Sequence, residues 1–164
     1  MAARKHVTMR NFRVYLLIVM MVIAVDQWTK SWVLSHLIPY HDVITVNSLF
    51  NIVLAKNPGA AFSLLANAGG WQRYFFTAIA VTAVIWLCVL IYRHQQEHFF
   101  SISLSLILGG ALGNLIDRLY VGVVTDFIQW HVGEHYWPSF NIADSAITVG
   151  VICLIWDGLF KKND

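Results

Sequence analysis

The sequence has 164 residues, of which 58% are hydrophobic and 12% are charged. Soluble domains carry about twice that charged fraction, so the composition excludes an ordinary water-soluble fold. The net charge of +2 leaves no basic face of the kind that binds nucleic acid, so we expect no nucleic-acid partner.

Four apolar stretches are each long enough to cross a hydrocarbon core about 30 Å thick. They cover approximately residues 14–34, 71–92, 99–120 and 141–160. We therefore predict an all-α membrane fold in which residues 1–164 form one domain of four transmembrane helices. Longer loops, at 35–70 and 121–140, connect these helices on one side of the membrane.

The basic residues predict the orientation, because Lys and Arg in short loops are enriched on the cytoplasmic side of a membrane. Three segments that fall on the same side contain basic residues: the one before the first helix, the one after the second and the one after the fourth. These residues are Arg4, Lys5, Arg10, Arg13, Arg93, Lys161 and Lys162. Between the first two helices the basic residues are Lys56 and the boundary residue Arg73, and the loop 121–140 has none. We expect both termini in the cytoplasm and both longer loops on the outer face.

The first predicted helix carries two charged residues, Asp26 and Lys30, which are four apart and therefore lie on one face. Ionisable residues in transmembrane helices are costly and commonly mark functional sites. Two interpretations remain open for this pair. It belongs to a site near the outer loops, or it lies at the interface with Lys30 extended outward into water.

The loop 35–70 contains two segments rich in Val and Ile, "DVITV" at 42–46 and "LFNIVLA" at 49–55, separated by Asn-Ser. This pattern predicts a small β-hairpin on the outer face. A turn, "KNPGAAF", follows it at 56–62. Long loops in otherwise compact bundles are commonly functional.

The third helix contains "GGALGNLIDRLY" at 109–120. Gly109 and Gly113 have the GxxxG spacing that allows close approach of another helix. Asn114, Asp117 and Arg118 follow at i, i+3 and i+4, so they form a polar stripe on one side. Together they predict a hydrogen-bonded network.

Two further acidic residues lie near the outer boundary. Asp126 falls in the strand-like segment "VVTDFIQW" at 123–130, and "FNIADS" at 140–145 opens the fourth helix. Asn141 is a candidate N-cap, and a capping role in the first turn is a sufficient interpretation of Asp144 taken alone. However, the third helix runs outward and the fourth returns, so Asp126 and Asp144 reach the same depth. Two adjacent carboxylates share a proton near neutral pH, which supplies an acid and a base for hydrolysis.

Five motifs in order resemble one family: "DQWTK" (26–30), "NPGAAF" (57–62), "GNLIDR" (113–118), "VTDF" (124–127) and "FNIADS" (140–145). The chain resembles lipoprotein signal peptidase, or signal peptidase II, an aspartyl protease family of the bacterial inner membrane. The resemblance implies an endopeptidase that removes the signal peptide from diacylglyceryl-modified prolipoproteins by cleaving just before the lipidated cysteine. It also implies four transmembrane helices with a small outer sheet.

The resemblance assigns roles to residues of this chain. Asp126 and Asp144 correspond to the catalytic pair of the family. Residues that match its substrate-binding or supporting positions are Asn57, Gly59, Asn114, Arg118, Asn141, Asp26 and Lys30. We expect no metal or other cofactor, membrane lipid as the surrounding partner, and a monomer.

Three rival functions are weighed against the resemblance: a zinc protease, a small carrier and a purely structural subunit. The stretches "HQQEH" (94–98) and "HVGEH" (131–135) match the HxxEH pattern of an inverted zinc protease motif, but the topology places them on opposite sides of the membrane. A small proton-coupled carrier could use Asp26, Asp126 and Asp144 as a relay. The gathering of these carboxylates at one side argues against a relay across the bilayer, and a purely structural subunit leaves their clustering unexplained.

Overall fold

The computed structural model describes residues 9–59 and 69–160. Its four helices are α1 (Met9–His36), α2 (Gln72–Arg93), α3 (His98–Tyr120) and α4 (Ile142–Phe160). Each of the four is long and apolar enough to cross a membrane. The predicted transmembrane architecture is therefore confirmed, with α1 beginning earlier than the apolar stretch from residue 14.

Helix α3 is the centre of the bundle and packs against α1, α2 and α4. Of its most apolar stretch, 56% is buried in the protein, against 17% or less for the other three helices. A Cβ atom added at Gly109 would lie 2.7 Å from Cβ of Val22 in α1, and one added at Gly113 would lie 2.6 Å from Oδ2 of Asp26. The GxxxG spacing thus allows close approach of α1, as predicted.

Two apolar clusters hold the helices and the sheet together. One lies between α1, α2 and α3 and is formed by Tyr15, Val19, Leu87, Ile91, Leu104 and Leu108. The other joins the end of α1 to the sheet and is formed by Val33, Leu37, Leu54 and Phe127. Burial of this second cluster fixes the sheet against the carboxyl-terminal end of α1.

The sheet has four antiparallel strands in the order β1 (Val43–Asn47), β2 (Phe50–Asn57), β3 (Val124–Val132) and β4 (His135–Tyr136). The first two strands confirm the predicted hairpin. The sheet is larger than that hairpin, because β3 from the second long loop pairs with β2. Asn57 pairs with Val124 in this register, which brings the end of β2 beside the carboxylate of Asp126.

Candidate active site

The start of α4 is held by a reciprocal pair of hydrogen bonds between Asn141 and Asp144. The backbone N–H of Asp144 donates to Oδ1 of Asn141 at 2.9 Å, and the backbone N–H of Asn141 donates to Oδ2 of Asp144 at 3.2 Å. This is a capping box, which satisfies two of the unpaired N–H groups at a helix start. Asn141 therefore caps α4 as predicted, and the cap fixes one oxygen of the Asp144 carboxylate.

The side chain of Asn141 also contacts the second acid. Its Nδ2 donates to Oδ1 of Asp126 at 2.7 Å, and it lies 3.2 Å from Oδ1 of Asn114 and 3.3 Å from the carbonyl oxygen of Thr125. Asn141 is fully buried. One asparagine consequently binds both carboxylates and sets their relative orientation.

Each carboxylate has one further amide donor. Asn57 donates from Nδ2 to Oδ2 of Asp126 at 3.1 Å, and Asn114 donates from Nδ2 to Oδ1 of Asp144 at 2.8 Å. Neutral amide donors orient the two acids without neutralising their charge. The pair keeps its capacity for proton transfer.

Asp126 lies in an environment that favours its protonated form. Asp126 is only 2% exposed to solvent. Burial, and then the negative charge of Asp144, raise the pKa of Asp126 from 3.8 to about 7, against the opposing effect of the hydrogen bonds from Asn57 and Asn141. Near neutral pH this carboxyl group is therefore close to half protonated.

A buried ion-pair network lies directly beneath the two acids. Nζ of Lys30 is 2.8 Å from Oδ2 of Asp26 and 3.1 Å from Oδ2 of Asp117, and it donates to Oδ1 of Asn114 at 3.1 Å. Lys30 is 2% exposed and Asp26 is fully buried. The interpretation in which Lys30 extends outward into water is therefore wrong, because α3 supplies two partners that hold its ammonium group inside the bundle.

The two carboxylates of this network also hold the backbone just before each acid of the pair. Oδ1 of Asp26 accepts the N–H of Ala143 at 2.9 Å, and Oδ2 of Asp117 accepts the N–H of Thr125 at 2.9 Å. Ala143 precedes Asp144 and Thr125 precedes Asp126. The network thereby fixes the chain at both acids.

Gln27 is a member of this network that sequence reasoning missed. Its Nε2 donates to Oδ2 of Asp26 at 3.1 Å, to Oδ1 of Asp117 at 3.0 Å and to the carbonyl oxygen of Gly113 at 3.2 Å. The available signal was its position inside "DQWTK", next to Asp26. Asp117 was predicted as part of the polar stripe but was not included among the site residues.

Arg118 lies at the edge of the site. Its Nη2 donates to the carbonyl oxygen of Gly59 at 3.3 Å, and the N–H of Gly59 donates to Oδ1 of Asn57 at 3.0 Å. The charge of Arg118 is close enough to interact electrostatically with both Asp126 and Asp144. Residues 60–62 of the "NPGAAF" motif lie outside the described residues.

The structure brings all nine predicted site residues into one continuous set of contacts. They are Asp26, Lys30, Asn57, Gly59, Asn114, Arg118, Asp126, Asn141 and Asp144. They come from α1, β2 and its following turn, α3, β3 and the start of α4.

The alternatives from other classes gain no support. The stretch 131–135 lies in β3, the turn and β4, where Val132 pairs with His135, so its His residues lack the helical spacing of a zinc motif. Within residues 9–59 and 69–160, no group of three His, Cys, Asp or Glu side chains could hold a metal ion. Asp26 accepts a hydrogen bond from the residue before Asp144, and Asn141 joins Asp144 to Asp126, so the three acids lie close together and are not spaced along the helices as in a relay.

A family model and two bacterial relatives match most of this chain. A family model described as Signal peptidase (SPase) II matches residues 18–160. A lipoprotein signal peptidase of Burkholderia mallei (strain SAVP1) is 52% identical over 140 residues, covering 85% of this chain and 84% of the relative. One from Xanthomonas axonopodis pv. citri (strain 306) is 48% identical over 152 residues, covering 92% and 88%.

Solved structures also match over nearly the whole chain. One described as a bacterial membrane enzyme, determined by the in meso method, has a TM-score of 0.78 and 35% sequence identity. The match covers 92% of this chain and 94% of that one. A second structure with the same description has a TM-score of 0.77 at the same identity.

Proposed function

The chain belongs to the signal peptidase II family and is a protease that removes signal peptides from prolipoproteins, and we propose that Asp126 and Asp144 are its catalytic pair. The observation that carries this assignment is the position of Asn141. It binds Asp126 through its side chain and Asp144 through the capping box, which presents two carboxylates at one place.

The chemistry of amide hydrolysis requires both a base and an acid, because water is a weak nucleophile and an amide nitrogen is a poor leaving group. The ionised carboxylate of the pair removes a proton from a water molecule, which attacks the scissile carbonyl carbon. The protonated partner donates a hydrogen bond to the carbonyl oxygen and later transfers its proton to the departing amine. The pair titrates as a unit, and the pKa of about 7 at Asp126 keeps one shared proton available near neutral pH.

The remaining predicted residues position this pair. Lys30 forms ion pairs with both Asp26 and Asp117, and these two carboxylates bind the backbone that precedes each catalytic acid. Charges buried in this way retain a defined geometry because each loses several kcal/mol if its partner moves away. Asp26 and Lys30 therefore serve as supporting residues, with no direct role in proton transfer.

The proposed substrate is a diacylglyceryl-modified prolipoprotein, cleaved just before the lipidated cysteine. Each buried CH₂ group of the lipid contributes about 0.8 kcal/mol, so the lipid stays in the bilayer and presents the adjacent peptide bond at the membrane boundary. Asp144 lies in the first turn of α4 and Asp126 in β3, at the end of the bundle where the helices meet the sheet, which supports cleavage at the membrane boundary. The proposed surroundings are membrane lipid, and the proposed oligomeric state is a monomer.

The test uses purified protein in lipid with two precursors, one carrying the diacylglyceryl group and one without it. Wild type is expected to cleave the lipidated precursor, and Asp126→Asn and Asp144→Asn are expected to lose activity by at least about 10²-fold. Glu134→Gln, an exposed carboxylate in the β3–β4 turn, is the matched control and should cleave like wild type. Cleavage by either Asn variant at the wild-type rate would reject the catalytic pair, and equal cleavage of both precursors would reject recognition of the lipid.

We also propose that the chain lies in the bacterial cytoplasmic membrane with both termini in the cytoplasm and the site at the outer face. The distribution of Lys and Arg supports this orientation. The test uses the single-cysteine variants Glu134→Cys, in the β3–β4 turn, and Gln96→Cys, between α2 and α3, after Cys88 and Cys153 are replaced. An impermeant maleimide should label the first in intact cells and the second after permeabilisation, and the reverse pattern would contradict the orientation.

A further inference from the structure

Arg73 is a cation on the outer side of the membrane that the catalytic pair does not use. It lies in the first turn of α2, and its side chain reaches the carboxyl end of α3. Its Nε donates to the carbonyl oxygen of Arg118 at 3.1 Å, and its Nη2 donates to the carbonyl oxygen of Leu119 at 3.0 Å. The last carbonyl groups of a helix have no partner within the helix and carry partial negative charge, so one guanidinium satisfies two of them.

The same guanidinium packs against the turn that leads from α3 into β3. Gly122 has a φ of +89°, and a Cβ atom at this position would lie 3.0 Å from Nη1 of Arg73. The left-handed backbone favours glycine at this position, and the guanidinium of Arg73 packs closely against it. Because β3 begins at Val124, the turn under Arg73 sets the path of the strand that carries Asp126.

Helix α2 contacts Arg118 a second time through Phe76. The guanidinium carbon of Arg118 lies 5.8 Å from the centroid of the Phe76 ring. Phe76 follows Arg73 by three residues and so lies on the same face of α2. The first turn of α2 therefore holds the main chain of Arg118 with one residue and its side chain with the other.

We infer that Arg73 is a positioning residue for the active site: it joins α2 to the end of α3 and fixes Arg118 and the turn before Asp126. The inference rests on the proposed function, since it assigns Arg73 to the support of that same site. Among the helices, α2 packs extensively against α3. The hydrogen bonds from Arg73 therefore fix the position of the first turn of α2 relative to the active site. A displacement on the order of 1 Å at reacting groups can lower a rate about 10²-fold, so even partial release should be measurable in kcat.

The test is a double-mutant cycle in kcat for a lipidated precursor, with Arg73→Met and Arg118→Lys. Arg73→Met alone is expected to lower kcat about tenfold and to change KM less than about twofold, because the substrate-facing groups remain. In the Arg118→Lys background the same change should lower kcat by a smaller factor, because the part of the effect that acts through the Arg118 side chain is already lost while the part that acts through the turn before Asp126 remains. Arg93→Met, an exposed arginine at the other end of α2, is the matched control and should behave like wild type.

Arg73→Lys gives a second, milder comparison. A lysine ammonium can reach one carbonyl but lacks the planar fork that contacts two, so an intermediate kcat is expected. This variant takes the place of Arg73→Met in the cycle if the Met variant fails to accumulate in membranes. The inference is overturned if kcat stays at the wild-type value, if the effect lies in KM alone, or if kcat falls by the same factor in both backgrounds.

The Asn variants separate this inference from the proposed function. If Asp126→Asn and Asp144→Asn are inactive while Arg73→Met turns over like wild type, the inference about Arg73 fails and the catalytic pair stands. If either Asn variant remains fully active, the catalytic assignment fails whatever the cycle at Arg73 gives.

Discussion

Replacing Asp126 with Asn should change how the stability of the protein depends on pH. In the folded protein the pKa of Asp126 is raised from 3.8 to about 7, so the folded state binds this proton more tightly than the unfolded chain. The stabilisation is fully present below about pH 4 and is lost as the pH rises through 7. Between pH 5 and pH 8, titration of Asp126 should lower the unfolding free energy of wild type by about 2–3 kcal/mol, and Asp126→Asn should not show this loss.

The assay is equilibrium unfolding in detergent micelles at pH 5 and pH 8 for both proteins. Asn at 126 also alters the hydrogen bonds from Asn57 and Asn141, but that cost is independent of pH and cancels when the two pH values are subtracted. Glu134→Gln is the control and should retain the wild-type difference. If Asp126→Asn and wild type change equally between pH 5 and pH 8, the reasoning from burial and the charge of Asp144 is refuted.

Three further perturbations test the supporting structure. Gly113→Ala places a Cβ atom 2.6 Å from Oδ2 of Asp26 and should lower the unfolding free energy by about 1–3 kcal/mol. Gly158→Ala, inside α4 with no atom within 4 Å, should not lower it, and equal effects of the two variants would contradict the close approach of α1. Lys30→Met leaves two buried carboxylates without their cation and should destabilise the protein by about 3–5 kcal/mol in thermal unfolding, which a wild-type Tm would contradict. Cleavage of the lipidated precursor should persist in a strong chelator, since the two carboxylates supply both the acid and the base, and activity restored specifically by zinc would contradict this.

The sequence predicted those parts of the fold that depend on composition and local spacing. Apolar stretches of the right length became α1 to α4, and the GxxxG spacing at Gly109 and Gly113 became the contact between α1 and α3. The common depth of Asp126 and Asp144 followed from counting membrane crossings. These inferences succeeded because a bilayer permits few arrangements of four apolar helices.

Features set by partners distant in the sequence could not be predicted. The spacing of Asp26 and Lys30 is the same for an interfacial pair and a buried one, and the burial is decided by Asp117 and Asn114 from α3. The pairing of β2 with β3 depends on strand register across about seventy residues, so no local pattern revealed that Asn57 would bind Asp126.

Polar residues without an unusual spacing were also missed. Gln27 resembles any glutamine near a membrane boundary, and its three contacts exist because α1 and α3 approach closely at Gly113. From the sequence, Arg73 was predicted only to be a charged residue at the boundary of the second helix. Its contacts with the last carbonyls of α3 depend on the packing of two helices that are joined through the distant Arg93–His98 turn.

The most direct test of the central claim compares turnover of the lipidated precursor by Asp126→Asn, by Asp144→Asn and by the double variant. If the two carboxylates act as one unit, each single variant should lose nearly all of the activity that the double variant loses, because neither acid can complete the proton transfers alone. Losses that multiply in the double variant, or a single variant that retains more than about a tenth of the wild-type rate, would contradict a catalytic pair.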